Sequence, residues 1–180
     1  MPHLLLVDDE INILNALRRV CWNEKLQPDI KDLRITTFES PFTAIEFASH
    51  HPVDLVLSDF RMPEMNGVAF LRRVRELQPN AARIIISAFA DKEGIISAIN
   101  DAAIYRFIAK PWDPVELKET IGAALAHHQQ LVENQTLADE ARLQRGSISP
   151  HELALRQLEA ESPGITKVHW DENGGVLLES

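Results

Sequence analysis

The sequence predicts an α/β protein with a doubly wound, five-stranded parallel sheet, and two observations carry that prediction. Short apolar segments at 3–7, 33–38, 54–58, 83–87 and 105–109 alternate with stretches at helical spacing: Ile11, Leu14, Leu17 and Cys21, then residues near 40–50, 66–77, 91–102 and from 113 onward. Runs such as Leu55-Val56-Leu57 and Ile84-Ile85-Ile86 carry almost no polar alternation, as strands covered on both faces do. Right-handed crossovers then place helices on both sides of the sheet. In such sheets ligands bind beyond the carboxyl ends of the strands, so chemistry is expected there.

The 180 residues suffice for one domain with a full core and a modest appendage. Hydrophobic residues at 45% and charged residues at 25% are ordinary for a folded globular chain. A formal charge of −9 argues against nucleic acid and anionic membrane as partners. The early apolar run Leu4-Leu5-Leu6-Val7 is too short for a membrane span and is followed at once by carboxylates, so a cytoplasmic protein is expected. Cys21 has no second cysteine to pair with and sits in an apolar helical pattern, which makes it buried filler.

The fifth helix is expected to be long. No strong breaker separates Pro114 from Gly146, and Leu117, Ile121, Leu125, Leu131, Leu137 and Ala141 continue an apolar stripe. Gly146-Ser147 ends it. Ser149, Pro150 and Glu152 read as the capped start of a new helix, with Leu153, Leu155 and Leu158 as its apolar contacts. Residues 165–179 read as a β-hairpin around Asn173-Gly174-Gly175. The chain thus divides into a sheet domain over 1–128, an extension of the fifth helix over 129–146 and a helix-plus-hairpin appendage over 147–180. His127-His128 and His169 read as solvated or packing residues rather than metal ligands, because neighbours on a helix point about 100° apart. Trp22, Trp112 and Trp170 read as packing, with Trp170 open to a partner-anchoring role.

Four chemical features fall at strand ends: Asp8-Asp9 after the first strand, Asp59 after the third, Ser87 on the fourth and Lys110-Pro111 after the fifth. Three gathered carboxylates repel one another unless a cation offsets them, and a few oxygens plus waters suit Mg2+. An Asp carboxylate is a competent nucleophile toward phosphorus. The transfer then needs charge neutralisation, which a metal ion, the Lys110 ammonium and the Ser87 hydroxyl provide.

These residues resemble bacterial two-component response regulators, through Leu6-Val7-Asp8-Asp9-Glu10, the run from Asp54 to Gly67, Ile86-Ser87-Ala88 and Phe107-Ile108-Ala109-Lys110-Pro111-Trp112. The resemblance spans about residues 3–128, making that segment a receiver domain, and implies a flavodoxin-like sheet in the order 2-1-3-4-5. It implies that Asp59 is the phosphoacceptor, that Asp8, Asp9, Asp59 and the backbone carbonyl of Arg61 bind Mg2+, and that Lys110 follows the phosphoryl group. By the same resemblance Ser87 is a hydroxyl switch and the Lys110-Pro111 peptide is cis. Phe107 stands at the switch-aromatic position, with a plain core role as the alternative and Tyr105 as competitor. Arg61 and Phe89 stand where bulky side chains overhang the phosphoryl group and screen it from water.

The implied partners are a sensor histidine kinase or phosphotransfer protein, a downstream protein target, and a second copy of the chain through the 91–145 face. The leading function is a non-enzymatic phosphorelay switch that acts through protein contacts. A DNA-binding regulator using the tail ranks lower, because residues 146–180 hold Arg156 and Lys167 against six acidic residues. A Mg2+-dependent aspartyl phosphatase ranks lower still, because Arg61 stands where such enzymes commonly keep a second Asp. Residues 146–180 match no familiar effector by size.

Overall fold

The computed structural model describes residues 1–22, 33–88 and 102–166. Its strands are β1 (His3–Val7), β2 (Arg34–Phe38), β3 (Leu55–Asp59), β4 (Ala82–Ala88) and β5 (Arg106–Lys110). They pair in parallel in the order β2-β1-β3-β4-β5, the doubly wound sheet that the sequence predicts. The helices are α1 (Ile11–Trp22), α2 (Pro41–His50), α3 (Gly67–Leu77), α4 (Pro114–Gln144) and α5 (Pro150–Glu161). The helix expected at 91–102 and the hairpin expected at 165–179 lie almost wholly outside the described residues, as do Phe89, His169 and Trp170.

Side chains on a strand alternate between faces, so the continuous apolar runs feed two cores at once. Leu4, Leu6, Leu55, Leu57, Ile84 and Ile86 pack with Leu14 and Leu17 of α1 and with Leu117, Ile121 and Leu125 of α4. Leu5, Val7, Val56 and Ile85 face the other way, against Ala44 and Ala48 of α2 and Phe70, Leu71 and Val74 of α3. Cys21 is buried in the first core, and burial pushes its thiol up to about 12, consistent with inert filler.

Local signals set the helix ends. Asn66 caps α3 by accepting from the Ala69 amide at 2.8 Å, and Asp113 caps α4 by accepting from Val115 and Glu116 at 2.8 and 3.0 Å. Ser149 and Glu152 form the reciprocal capping box that their spacing predicts. Gly146, at φ 69°, closes α4: its amide donates to Leu143 and the Ser147 amide to Arg142, the paired bonds of a Schellman ending.

Helix α4 has 31 residues, about 46 Å at 1.5 Å per residue, and so outruns strands of about 16 Å. The apolar stripe accordingly holds only in part. Leu117, Ile121 and Leu125 are buried, whereas Leu137 is 56% exposed. Leu137 lies six positions after Leu131, which swings it far off the inward face. The buried position there is Asp139, which accepts from Gln135, Arg142 and Arg156 at 2.8–2.9 Å and so clasps α5 to α4. The expected apolar anchoring of α5 is also corrected. None of its residues is buried, Leu155 and Leu158 are exposed, and the Asp139–Arg156 pair holds the helix instead. After α5, Gly164 (φ 85°) approaches the end of α2 so closely that an added Cβ would stand 2.9 Å from the Ser49 carbonyl oxygen. Among the described residues no helix is long and apolar enough to cross a membrane.

If packing against the sheet ends near Leu125, Ile121→Ala lowers stability in urea titration by about 3 kcal/mol, whereas Leu137→Ala stays within about 0.5 kcal/mol of the parent.

Candidate functional site

The carboxyl edge of the sheet brings together the chemistry predicted for it. Asp8 follows β1, Asp59 ends β3 and Lys110 ends β5. Val7 pairs with Ser58 across β1 and β3, which sets the two carboxylates side by side. Asp8 and Asp59 are 1% and 7% exposed. The Lys110 ammonium lies between them, with Nζ 2.9 Å from Asp8 Oδ2 and 2.5 Å from Asp59 Oδ1. Each carboxylate is also held by backbone: the Glu10 amide donates to Asp8 Oδ1 at 2.9 Å and the Arg61 amide to Asp59 Oδ2 at 2.5 Å.

The electrostatics follow from burial against pairing. Burial raises the Asp8 carboxyl above its ordinary range, partly countered by the hydrogen bonds from Lys110 and Glu10. Burial would lower the Lys110 ammonium, but its hydrogen bonds to Asp59 and Asp8 outweigh that and raise it. Lys110 is therefore a permanent cation here.

Ser87 is buried at the end of β4 and pairs with Ala109, one step beyond the Asp59–Ile86 pair. The Lys110–Pro111 peptide is cis, as the resemblance implies. Phe107 packs on the α3 side of the sheet, whereas Tyr105 lies on the α4 side and stacks on His127 with ring centroids 5.0 Å apart. Trp112 is half-buried against the first core. Asp9 stands apart from its neighbours: it is exposed, and among the described residues no three metal-binding side chains are already gathered. Successive residues leaving a strand point opposite ways, so Asp8 turns inward and Asp9 outward.

Gly67 holds the Asp59 loop by absence of a side chain. Its amide donates to the Phe60 carbonyl at 2.9 Å, and an added Cβ would stand 2.1 Å from the Asp59 carbonyl oxygen. Sequence reasoning noted Gly67 only as part of a matching phrase; the Asn-Gly helix start was its signal. It missed a pairing at the opposite edge, His128 with Asp54, because only the topology brings those residues together.

The arrangement is that of a phosphorylation-type receiver, and comparison agrees. Residues 4–122 match the response regulator receiver domain, and the chain belongs to that family. It is similar to the hydrogenase transcriptional regulatory protein HoxA of Bradyrhizobium diazoefficiens, with 36% identity over 145 residues, covering 81% of this chain and 28% of HoxA. It is also similar to the cyclic di-GMP phosphodiesterase response regulator RpfG of Xanthomonas campestris, with 30% identity, covering 96% of this chain and 44% of RpfG. The chain thus spans less than half the length of these relatives. Among solved structures, an uncharacterized protein from Neptuniibacter caesariensis superposes with TM-score 0.67 at 37% identity, covering 74% of this chain and 93% of that one. The signal receiver domain of an HD domain-containing protein from Pseudomonas fluorescens gives 0.64 at 31%, covering 72% and 98%.

Two variants test the site's construction. Lys110→Ala leaves two buried carboxylates without their cation and costs about 3 kcal/mol at neutral pH in metal-free buffer. Because the folded Asp8 carboxyl is already raised, its contribution to stability is present below the ordinary carboxylate range and lost as pH rises through the folded value. The deficit of the variant, read by urea titration, therefore grows as pH rises from acid to neutral. Gly67→Ala must push the Asp59 backbone aside and costs about 2 kcal/mol or more, with the Asp59 amide shifted in the NMR spectrum.

Proposed function

We propose that this chain is the switch of a two-component phosphorelay, in which Asp59 accepts a phosphoryl group from a sensor histidine kinase or a phosphotransfer protein and signals through phosphorylation-dependent protein contacts. The observation that carries this reading is the Lys110 ammonium held between the buried carboxylates of Asp8 and Asp59. A carboxylate oxygen of Asp59 attacks phosphorus, an acyl phosphate forms, and the bond from phosphorus to the donor nitrogen breaks. Lys110 already stands beside the nucleophile and follows the incoming oxygens as a flexible point charge. Ser87 donates its hydroxyl to the phosphoryl group, and Phe107 or Tyr105 responds to that movement.

The donor set of Asp8, Asp9, Asp59 and the Arg61 backbone carbonyl is all oxygen and suits Mg2+. Two buried carboxylates sharing one ammonium leave negative charge for such an ion to offset. When bound, Mg2+ neutralises charge on the phosphoryl oxygens. We assign residues 1–128 to the receiver, 129–146 to an extension of its last helix and 147–180 to an appendage, with self-association through the 91–145 face. Arg61 and Phe89 are assigned to screening the acyl phosphate from water.

Transcriptional regulation is the second reading. It is favoured by the 36% identity to HoxA, a transcriptional regulatory protein. A hydrolytic enzyme ranks below both, since Arg61 offers no acid–base group.

Incubation with acetyl phosphate and Mg2+, followed by intact mass, decides between switch and enzyme. The expected result is a stable adduct of one phosphoryl group that Asp59→Asn abolishes. Continuous phosphate release without an adduct overturns the switch.

A further inference from the structure

The opposite edge of the sheet holds a polar constellation that phosphorylation chemistry does not use. His128 lies on α4 where buried residues give way to exposed ones: Ala124 and Leu125 are buried, Gln129 and Gln130 exposed. Its Nε2 is 2.7 Å from Asp54 Oδ1, and its Nδ1 is 2.8 Å from the carbonyl oxygen of Asn80. A carboxylate and a carbonyl only accept, so the ring satisfies both contacts together as an imidazolium, with a proton on each nitrogen. His3 on β1 shows the contrasting case. Its Nδ1 is 3.0 Å from the Pro52 carbonyl oxygen, and its Nε2 is 2.8 Å from the Thr36 hydroxyl, which can donate, so a neutral ring satisfies both.

Asp54 completes the arrangement. Its second oxygen accepts from the His3 backbone amide at 2.5 Å, so one carboxylate ties β1 and α4 to the start of β3. The turn that presents the Asn80 carbonyl is itself held by Arg83, whose buried guanidinium donates to the carbonyls of Pro79, Ala81 and Ala102.

We propose that His128 is a proton-operated latch on α4. Its imidazolium pins the helix to β3 and to the turn before β4, and loss of the second proton frees the helix where it leaves the sheet. The direction of residues 129–144 then responds to pH without involvement of Asp59.

Among the described residues the charges around the latch are few. Asp54 faces it from β3, His3 acts on Asp54 from β1, Arg83 lies behind the Asn80 turn on β4, and His127 on α4 points away to stack on Tyr105. Burial lowers His128, but the hydrogen bonds to Asp54 and Asn80 outweigh it and raise the group above 6.5. The latch therefore stabilises fully below 6.5 and is lost as pH rises through the folded value. Burial would raise Asp54, but its bonds to His128 and His3 depress it, so its share is lost only as pH falls through that depressed value. Burial lowers His3, which works in the opposite sense to His128, so a site-specific measurement is required rather than global stability.

The test is nitrogen NMR of histidine-labelled full chain from about pH 5 to about pH 9, with amide exchange over residues 124–132. Both His128 nitrogens are expected to be protonated on the acid side of its titration, which lies above that of His3 and which Asp54→Asn lowers. Exchange, corrected for its intrinsic pH dependence, is expected to rise about tenfold as His128 deprotonates, the weight of one charged hydrogen bond. It should be fast at every pH in His128→Gln. A His128 that titrates at or below His3, or exchange at 124–132 that ignores its titration in the unmodified chain, overturns the latch.

Discussion

Two carboxylates buried beside one ammonium organise this molecule. Like charges in a low-dielectric interior repel strongly, and Lys110 offsets that by reaching both Asp8 and Asp59. The sheet order makes that reach long. β1 and β3 are neighbours, but β4 separates β3 from β5, so about 9–10 Å of sheet lies between the two backbones. The flexible four-carbon stem of lysine covers most of this and the carboxylate arm the rest, leaving a compact charge at its tip, where the rigid fork of arginine would demand a fixed geometry.

The same constraint explains the surroundings of Asp59. Its side-chain oxygens are held by Lys110 and the Arg61 amide, while its carbonyl takes the Ser58 hydroxyl and leaves no room for a side chain at position 67. The loop from Phe60 to Asn66 leaves the strand and re-enters a helix under those restraints. A carboxylate fixed on both sides needs little reorganisation to meet a ligand at this edge, which is the economy of preorganised electrostatics.

The carboxyl edge was legible in the sequence because strand ends are marked locally. An apolar run stopped by Asp8-Asp9, or by Ser58-Asp59, announces both the strand and its chemistry, and Asn66, Asp113 and Ser149 mark helix starts by the same local logic. Residues whose role depends on what packs beside them were not legible. Leu137 fits an apolar count yet faces water, and Asp139 looks like surface charge yet is buried beneath the exposed Arg142 and Arg156 that pair with it. Asp54 and His128 lie far apart in sequence, and no periodicity links them. Placing Asp9 with Asp8 and Asp59 needed side-chain direction, which a motif does not encode.

Helix α4 touches both edges of the sheet. Its cap, Asp113, lies three residues after Lys110 at the carboxyl edge, and His128 sits about 22 Å further along at the other. Coupling between sites needs an element with two defined arrangements that both sites bias. The latch proposed at His128 would supply two such arrangements, placed where α4 passes from buried to exposed positions.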